Sequence, residues 1–185
     1  VTKNYKLKKP LIIYNYYSKD LENKILNNKN SIKLNEGSEL TLIDYNDEHT
    51  QSNFIKNTVD IVSLDENAVL KNILVQESKS NGHFYKYIKG SLENGSNYEN
   101  YILSSGLKLN KIEIEMNLNK NDISCSIYSA LNLLDDQHQE IKTSINHNSP
   151  NCKSYQKIKN VLNDKSRGVY QGKIFVEKIA QKTDA

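Results

Sequence analysis

Apolar residues along this chain recur at every second position far more often than at every third or fourth. The runs SIKL, ELTLI, AVLKNILV, KIEIEMNL, ISCSIYSALNL and KIFV all alternate, and Val, Ile and Tyr are frequent in and around them. That is the signature of half-buried strands. One stretch suits a helix. In SKDLENKILNNKN, from Ser18 to Asn30, Leu21, Ile25 and Leu26 share a helical face behind a Ser/Asp start, although the Asn-rich end makes that helix short or absent.

The connections between runs carry more information than the runs. An alternating pair ending in Leu, a polar tetrapeptide and a second alternating run recur as IKLNEGSELTL, VSLDENAVL, MNLNKNDISCSI and NVLNDKSRGVYQGKI. Asn, Asp and Gly tolerate the left-handed backbone of a tight corner, so each copy reads as strand, corner, strand. Corners repeated without crossover helices favour an all-β fold, a parallel β-helix whose coils stack strand on strand. An antiparallel sandwich is the alternative, weakened because Asn-Gly hairpin turns occur only at Asn81 and Asn94. The β-helix predicts Leu34, Leu64, Leu118 and Leu162 pointing inward beside their corners.

Length places the 185 residues in one domain, 1–185. The apolar fraction is 37% and the mean hydropathy −0.70, which suits a thin, elongated fold with much surface. Net charge is only +3, with both signs interspersed, so nucleic acid is not implied. The basic cluster KNYKLKK, Lys3 to Lys9, is the one polyanion candidate. PLIIY is the longest apolar run, far short of a membrane span. Beginning at Val1 and ending within a patterned segment, the chain reads as a piece of a longer protein. Two cysteines in dissimilar contexts, with no secretory signal before them, fit a cytoplasmic or organelle-matrix setting better than an oxidised framework.

Chemical candidates are few. Cys125 shares a strand face with Ile123 and Ile127 and reads as core. Cys152 follows a polar SPN turn, a context that can expose a thiol and lower its pKa. His138 and His147 are an odd number of residues apart, so one uninterrupted strand would set them on opposite faces. His147 with Cys152 is the weak candidate for a metal site, but no CxxC, HxH or HExxH spacing supports it. His49 and His83 read as loop residues without partners. Phosphate loops, nucleophile elbows and paired carboxylates in a cleft are all lacking. A β-helix carbohydrate-active enzyme or carbohydrate-binding module would need clustered carboxylates on an exposed sheet face, whereas the outward positions read mainly as Lys, Asn and Ser.

The closing stretch HNSPNCKSYQKIKNVLNDKSRGVYQGKIFVEKIAQKTDA resembles the core domain of the SufB/SufD family of iron–sulfur cluster assembly. The matching residues are His147, the Pro150–Asn151–Cys152 turn, Ser154, Gln156, Lys157, Val161, Leu162, Asp164, the run Ser166–Tyr170, Gly172–Ile174, Val176 and Ala180–Ala185. KLKKPLIIY, GSELTLID, NAVLKNILVQ and GLKLNKIEIEMNL follow the family's order upstream, and PNCKS and AQKTDA look like the SufD branch. The resemblance implies a right-handed parallel β-helix and a non-catalytic scaffold subunit that pairs with SufB and, with the ATPase SufC, forms a SufBCD complex. Clusters would be assembled transiently on the full complex and not held by these 185 residues. The family's Cys-x-His segment and flanking helical regions, including the part that engages SufC, lie outside the sequence. Gly172, Lys173, Ile174 and Val176 become the expected SufB-facing strand. In the isolated chain, Gly172–Ala180 is expected to fray or to pair with a second copy as a homodimer.

Overall fold

A computed structural model describes residues 1–48, 52–77 and 80–184. Twelve strands account for most of them: β1 (Leu11–Tyr17), β2 (Ile25–Leu34), β3 (Glu39–Glu48), β4 (Ile55–Leu64), β5 (Val69–Gln76), β6 (Ser80–Leu92), β7 (Asn97–Ser105), β8 (Leu107–Leu118), β9 (Ser124–Leu133), β10 (His138–His147), β11 (Lys153–Leu162) and β12 (Arg167–Val176). Successive strands alternate between two six-stranded sheets, ordered β1-β3-β5-β7-β9-β11 and β2-β4-β6-β8-β10-β12. Every pairing between these strands is parallel. The chain is therefore a parallel β-solenoid, as the corner pattern predicts.

Registry converts the sequence repeat into columns of stacked side chains. Leu34 pairs with Leu64, Leu64 with Leu92, Leu92 with Leu118, Leu118 with His147, and His147 with Val176. The four leucines are fully buried. After each of them, and after His147, comes a corner containing one left-handed residue: Gly37, Asn67, Gly95, Asp122 and Asn151 in turn. Neighbouring corners are stitched together, with the amides of Gly37, Asn67 and Gly95 donating to the carbonyls of Glu66, Asn94 and Asn121 at 2.9, 2.9 and 3.0 Å.

Several expectations need correction. Ser18–Asn30 is not a helix: one 3-10 turn, Lys19–Leu21, precedes β2, because Ile25–Leu34 finds ten ladder partners on β4, which outweighs weak helical periodicity. Asn94-Gly95 is a coil corner rather than a hairpin, and Asn81 lies in β6 near a register shift. His83 sits in β6, paired with Ile55 and Leu109, not in a loop; His49 lies outside the described residues. The corner after Leu162, with Asp164 left-handed, belongs to the opposite edge of the solenoid. Leu162 is 46% exposed, because β11 is an edge strand. Of the stretch Gly172–Ala180, Gly172–Val176 forms the second half of β12, all ten residues of which pair with β10. Lys3 and Lys6 of the basic cluster are ion-paired to Glu36 and Glu39.

Candidate functional site

Two places concentrate polar chemistry: the coil carrying His147 and Cys152, and the interior near the opposite end. Cys152 directly precedes β11, in the same corner position as Ser38, Ala68, Ser96 and Ile123 in earlier coils, all of them buried. It is an inward step of the stack. Its Sγ donates to the Lys120 carbonyl at 3.1 Å, and burial pushes the thiol pKa up. The expectation of an exposed, acidified thiol fails because the polar SPN residues occupy the corner while the next side chain turns inside. Cys125 is core, as expected, its thiol raised to about 12 by burial.

His138 and His147 occupy the two ends of β10 on opposite faces, as their odd separation requires. His138 reaches Glu140 on the outside at 3.0 Å. His147 is fully buried in the leucine column, its Nε2 2.9 Å from Ser154 Oγ and its Nδ1 without a hydrogen-bond partner. Beside it Gln156 Oε1 accepts from Thr143 Oγ1 at 2.5 Å and from Tyr170 at 2.6 Å. A side chain at Gly172 would meet that tyrosine hydroxyl at 2.6 Å, so the glycine lets Tyr170 lie across the coil. Ile174 and Val176 follow it on the inward face, 44% and 45% exposed, while Lys173 points out. No group of three or more His, Cys, Asp or Glu able to hold a metal occurs among the described residues.

Burial holds the His147 pKa below its usual value. The neutral ring therefore belongs to the folded state, and stability falls as pH drops below the unfolded pKa near 6.5, by at most about 1.4 kcal/mol per pH unit. His147→Leu restores the column and removes the titrating group. Its stability relative to the wild type should grow by about 1 kcal/mol between pH 7 and 5.5 in urea titrations. An unchanged difference would mean that the ring titrates as it does in the unfolded chain.

The second cluster was not anticipated. Lys86 of β6 lies between Asp44 of β3 and Asp60 of β4, its Nζ 2.7 and 2.8 Å from their carboxylates. The other carboxylate oxygens accept from Asn15 at 2.7 Å and Asn30 at 2.8 Å. Side-chain exposures of 10% for Lys86, 15% for Asp44 and 5% for Asp60 make this a buried ion triad. Burial alone would lower the Lys86 pKa, but the two carboxylates together hold it above the ordinary value. Burial likewise opposes ionisation of Asp44, and Lys86 overcomes it. Nearby, Lys56 Nζ bonds Asn46 at 3.0 Å and the Tyr17 hydroxyl, with the Phe84 ring centroid 5.3 Å away. The space left between Lys56, Asn46, Phe84 and Lys86 is about 20 Å³, room for one water, while Asp44, Asp60 and Asn30 also line a cavity of about 480 Å³ beside Leu34, Leu40 and Leu42.

The match with known proteins is to the family model described as the SUF system FeS cluster assembly SufBD core domain, over residues 16–185. The chain belongs to the SufBD core family. No curated protein and no solved structure matched it.

Within this SufBD core, the outer faces answer the carbohydrate alternative. Contrary to the expectation of mainly Lys, Asn and Ser, one outer face carries Glu113, Glu115 and Glu140. Each is engaged, by Lys142 at 2.8 Å, by Tyr87 at 2.7 Å and by Lys111 at 3.1 Å. On the other outer face Tyr101 and Tyr128 stack with centroids 4.9 Å apart, each covering one face of the other. No described helix of the SufBD core is long and apolar enough to cross a membrane.

Proposed function

We propose that this SufBD core is a SufD-like scaffold subunit that pairs with SufB and the ATPase SufC, the iron–sulfur cluster being cargo of the assembled complex. One observation carries the reading. Both cysteines of the chain are internal steps of the solenoid with raised pKa values, so neither presents the thiolate that cluster ligation or sulfur transfer requires. What the coil containing them offers instead is a surface: β12 has a free edge, and Ile174 and Val176 stand half-exposed beside Tyr170. A scaffold needs such a docking edge and no reactive group of its own.

The test is co-purification of the full-length protein with SufB and SufC, followed by iron and sulfide analysis. The expected result is a complex that carries iron and sulfide, while the 185-residue chain reconstituted alone under anaerobic conditions carries no stoichiometric amount. Ile174→Glu should abolish recovery of SufB without unfolding the chain, because the side chain is already 44% exposed. A stoichiometric cluster on the isolated chain would overturn the reading.

A further inference from the structure

Among the described pairings the parallel ladders slip at one place. Between Ser80 and His83, two residues of β6, Asn81 and Gly82, stand opposite the single residue Lys108 of β8. Such a bulge bends a strand and re-aims its side chains. Beside it, where β2, β4, β6 and β8 begin, lies a cavity of about 410 Å³. Three of its lining residues are basic, Lys24, His83 and Lys108, and three are apolar, Ile25, Phe54 and Ile55. The carboxamides of Asn23, Asn53 and Asn81 complete the lining, and no described Asp or Glu belongs to it.

Charge balance sets this cavity apart from the rest of its sheet. Farther along the strands the lysines are answered by glutamates: Lys89 by Glu115 at 3.5 Å, Lys111 by Glu140 at 3.1 Å and Lys142 by Glu113 at 2.8 Å. Among the described residues Lys24 and Lys108 have no ion pair, and the His83 ring has no hydrogen bond. Glu22 lies outside the lining, its carboxylate accepting from the Asn53 amide at 3.1 Å. Unpaired cations on one concave surface focus a positive potential there, and an anion is the group that relieves it.

We infer that the cavity binds a small organic phosphate, its head held by Lys24 and Lys108 with His83 as a further donor and its apolar body against Ile25 and Ile55. A phosphomonoester carries close to two negative charges at neutral pH and three acceptor oxygens, which matches two ammonium groups and leaves an oxygen for the imidazole or a carboxamide. A carboxylate brings one charge and would leave one lysine unanswered. The volume exceeds what a bare phosphate fills and falls in the range of small-molecule sites. The apolar lining says what fills the remainder: Phe54 is buried beneath, while Ile25 is 61% exposed and gains cover from a hydrocarbon or ring. The cavity shares no residue with β12 or with the buried ion triad, so it is independent of the assembly reading above.

Isothermal titration calorimetry of the full-length protein with phenyl phosphate, inorganic phosphate and benzoate tests it. Phenyl phosphate is expected to saturate one site per chain, about tenfold tighter than inorganic phosphate, which lacks the body, and than benzoate, which lacks the second charge. Lys24→Ala and Lys108→Ala should each weaken it about tenfold and together abolish it, with circular dichroism unchanged because both lysines are exposed. Lys89→Ala, whose ammonium faces Glu115, should leave binding as it was. Ile25→Ser should erase the advantage of phenyl phosphate over inorganic phosphate without weakening the latter. Absence of saturable phenyl phosphate binding overturns the inference. So does a Lys24→Ala/Lys108→Ala variant that binds like the wild type, benzoate or inorganic phosphate binding as tightly as phenyl phosphate, or a loss in Lys89→Ala equal to that of the cavity variants, which would mark a diffuse charge effect.

Discussion

Lys86→Ala is expected to cost about 3–5 kcal/mol of folding stability, a large part of what a domain of this size has. The loss does not come from the ion pairs alone. Removing the ammonium leaves Asp44 and Asp60 buried and facing each other's charge, Asp44 accepting from Asn15 and Asn46 and Asp60 from Asn30. The pH dependence separates this from simple cavity formation. In the wild type, Lys86 keeps the Asp44 pKa below its ordinary value, so that contribution is present above the unfolded pKa near 3.9 and is lost as pH falls through the folded one. In Lys86→Ala burial is opposed only by the weaker pull of Lys56 and the Asn15 amide, so the folded pKa rises, and the variant should recover part of its deficit as pH drops from 7 to 5. Replacing all three groups by apolar residues of similar volume should be far less harmful than the single change, a known behaviour of buried ion clusters. Urea titrations of the single and triple variants read both effects, and a single variant losing under 1 kcal/mol would show that water reaches the carboxylates.

Leu118→Ala and Leu162→Ala should differ sharply although both leucines close a strand before a polar corner. Leu118 is fully buried beneath His147 and above Leu92, and truncating it should cost about 2–5 kcal/mol, the transfer of the lost methyls plus the cavity they leave. Leu162 is 46% exposed on the edge strand, where the same change should stay within about 0.5 kcal/mol. Equal costs would mean that the Leu162 side chain is covered in solution. The comparison therefore reports on whether another surface packs on the β11/β12 end of the full-length protein, as the scaffold reading requires.

The solenoid was legible because its two rules are local: alternation puts every second residue inside, and an Asn, Asp or Gly marks where the chain can turn left-handed. Leu34, Leu64 and Leu118 satisfy both, and their burial follows. What escaped was parity carried across a whole strand. In IKNTVDIVSL, the phase set by Leu64 also sends Asp60, Thr58 and Lys56 inward, so the polar interior was readable in principle, but charged residues on an alternating run look like the solvent face. The Lys86 partnership was not readable, because it depends on which coil lands on which. Cys152 illustrates the converse, a residue in a polar sequence context that geometry turns inside. Leu162 fits the local pattern, but its exposure depends on what lies beside the strand rather than on the strand itself.

Because each strand bonds only to the coil before and after it, the ladders act as a series of clasps. Partners such as Asn30 and Asp60 lie 30 residues apart. Pulling on the two ends of the chain should peel coils from the outside inward, each releasing on the order of 100 Å of extended polypeptide. The rupture force should not be uniform. Coils held by leucine columns and amide ladders should yield at similar loads, whereas the step that separates β6 from β4 must also pull Lys86 out from between two carboxylates. That step should stand out as the highest peak in an optical-trap trace, and it should vanish in the apolar triple variant even if the equilibrium stability of that variant is unchanged.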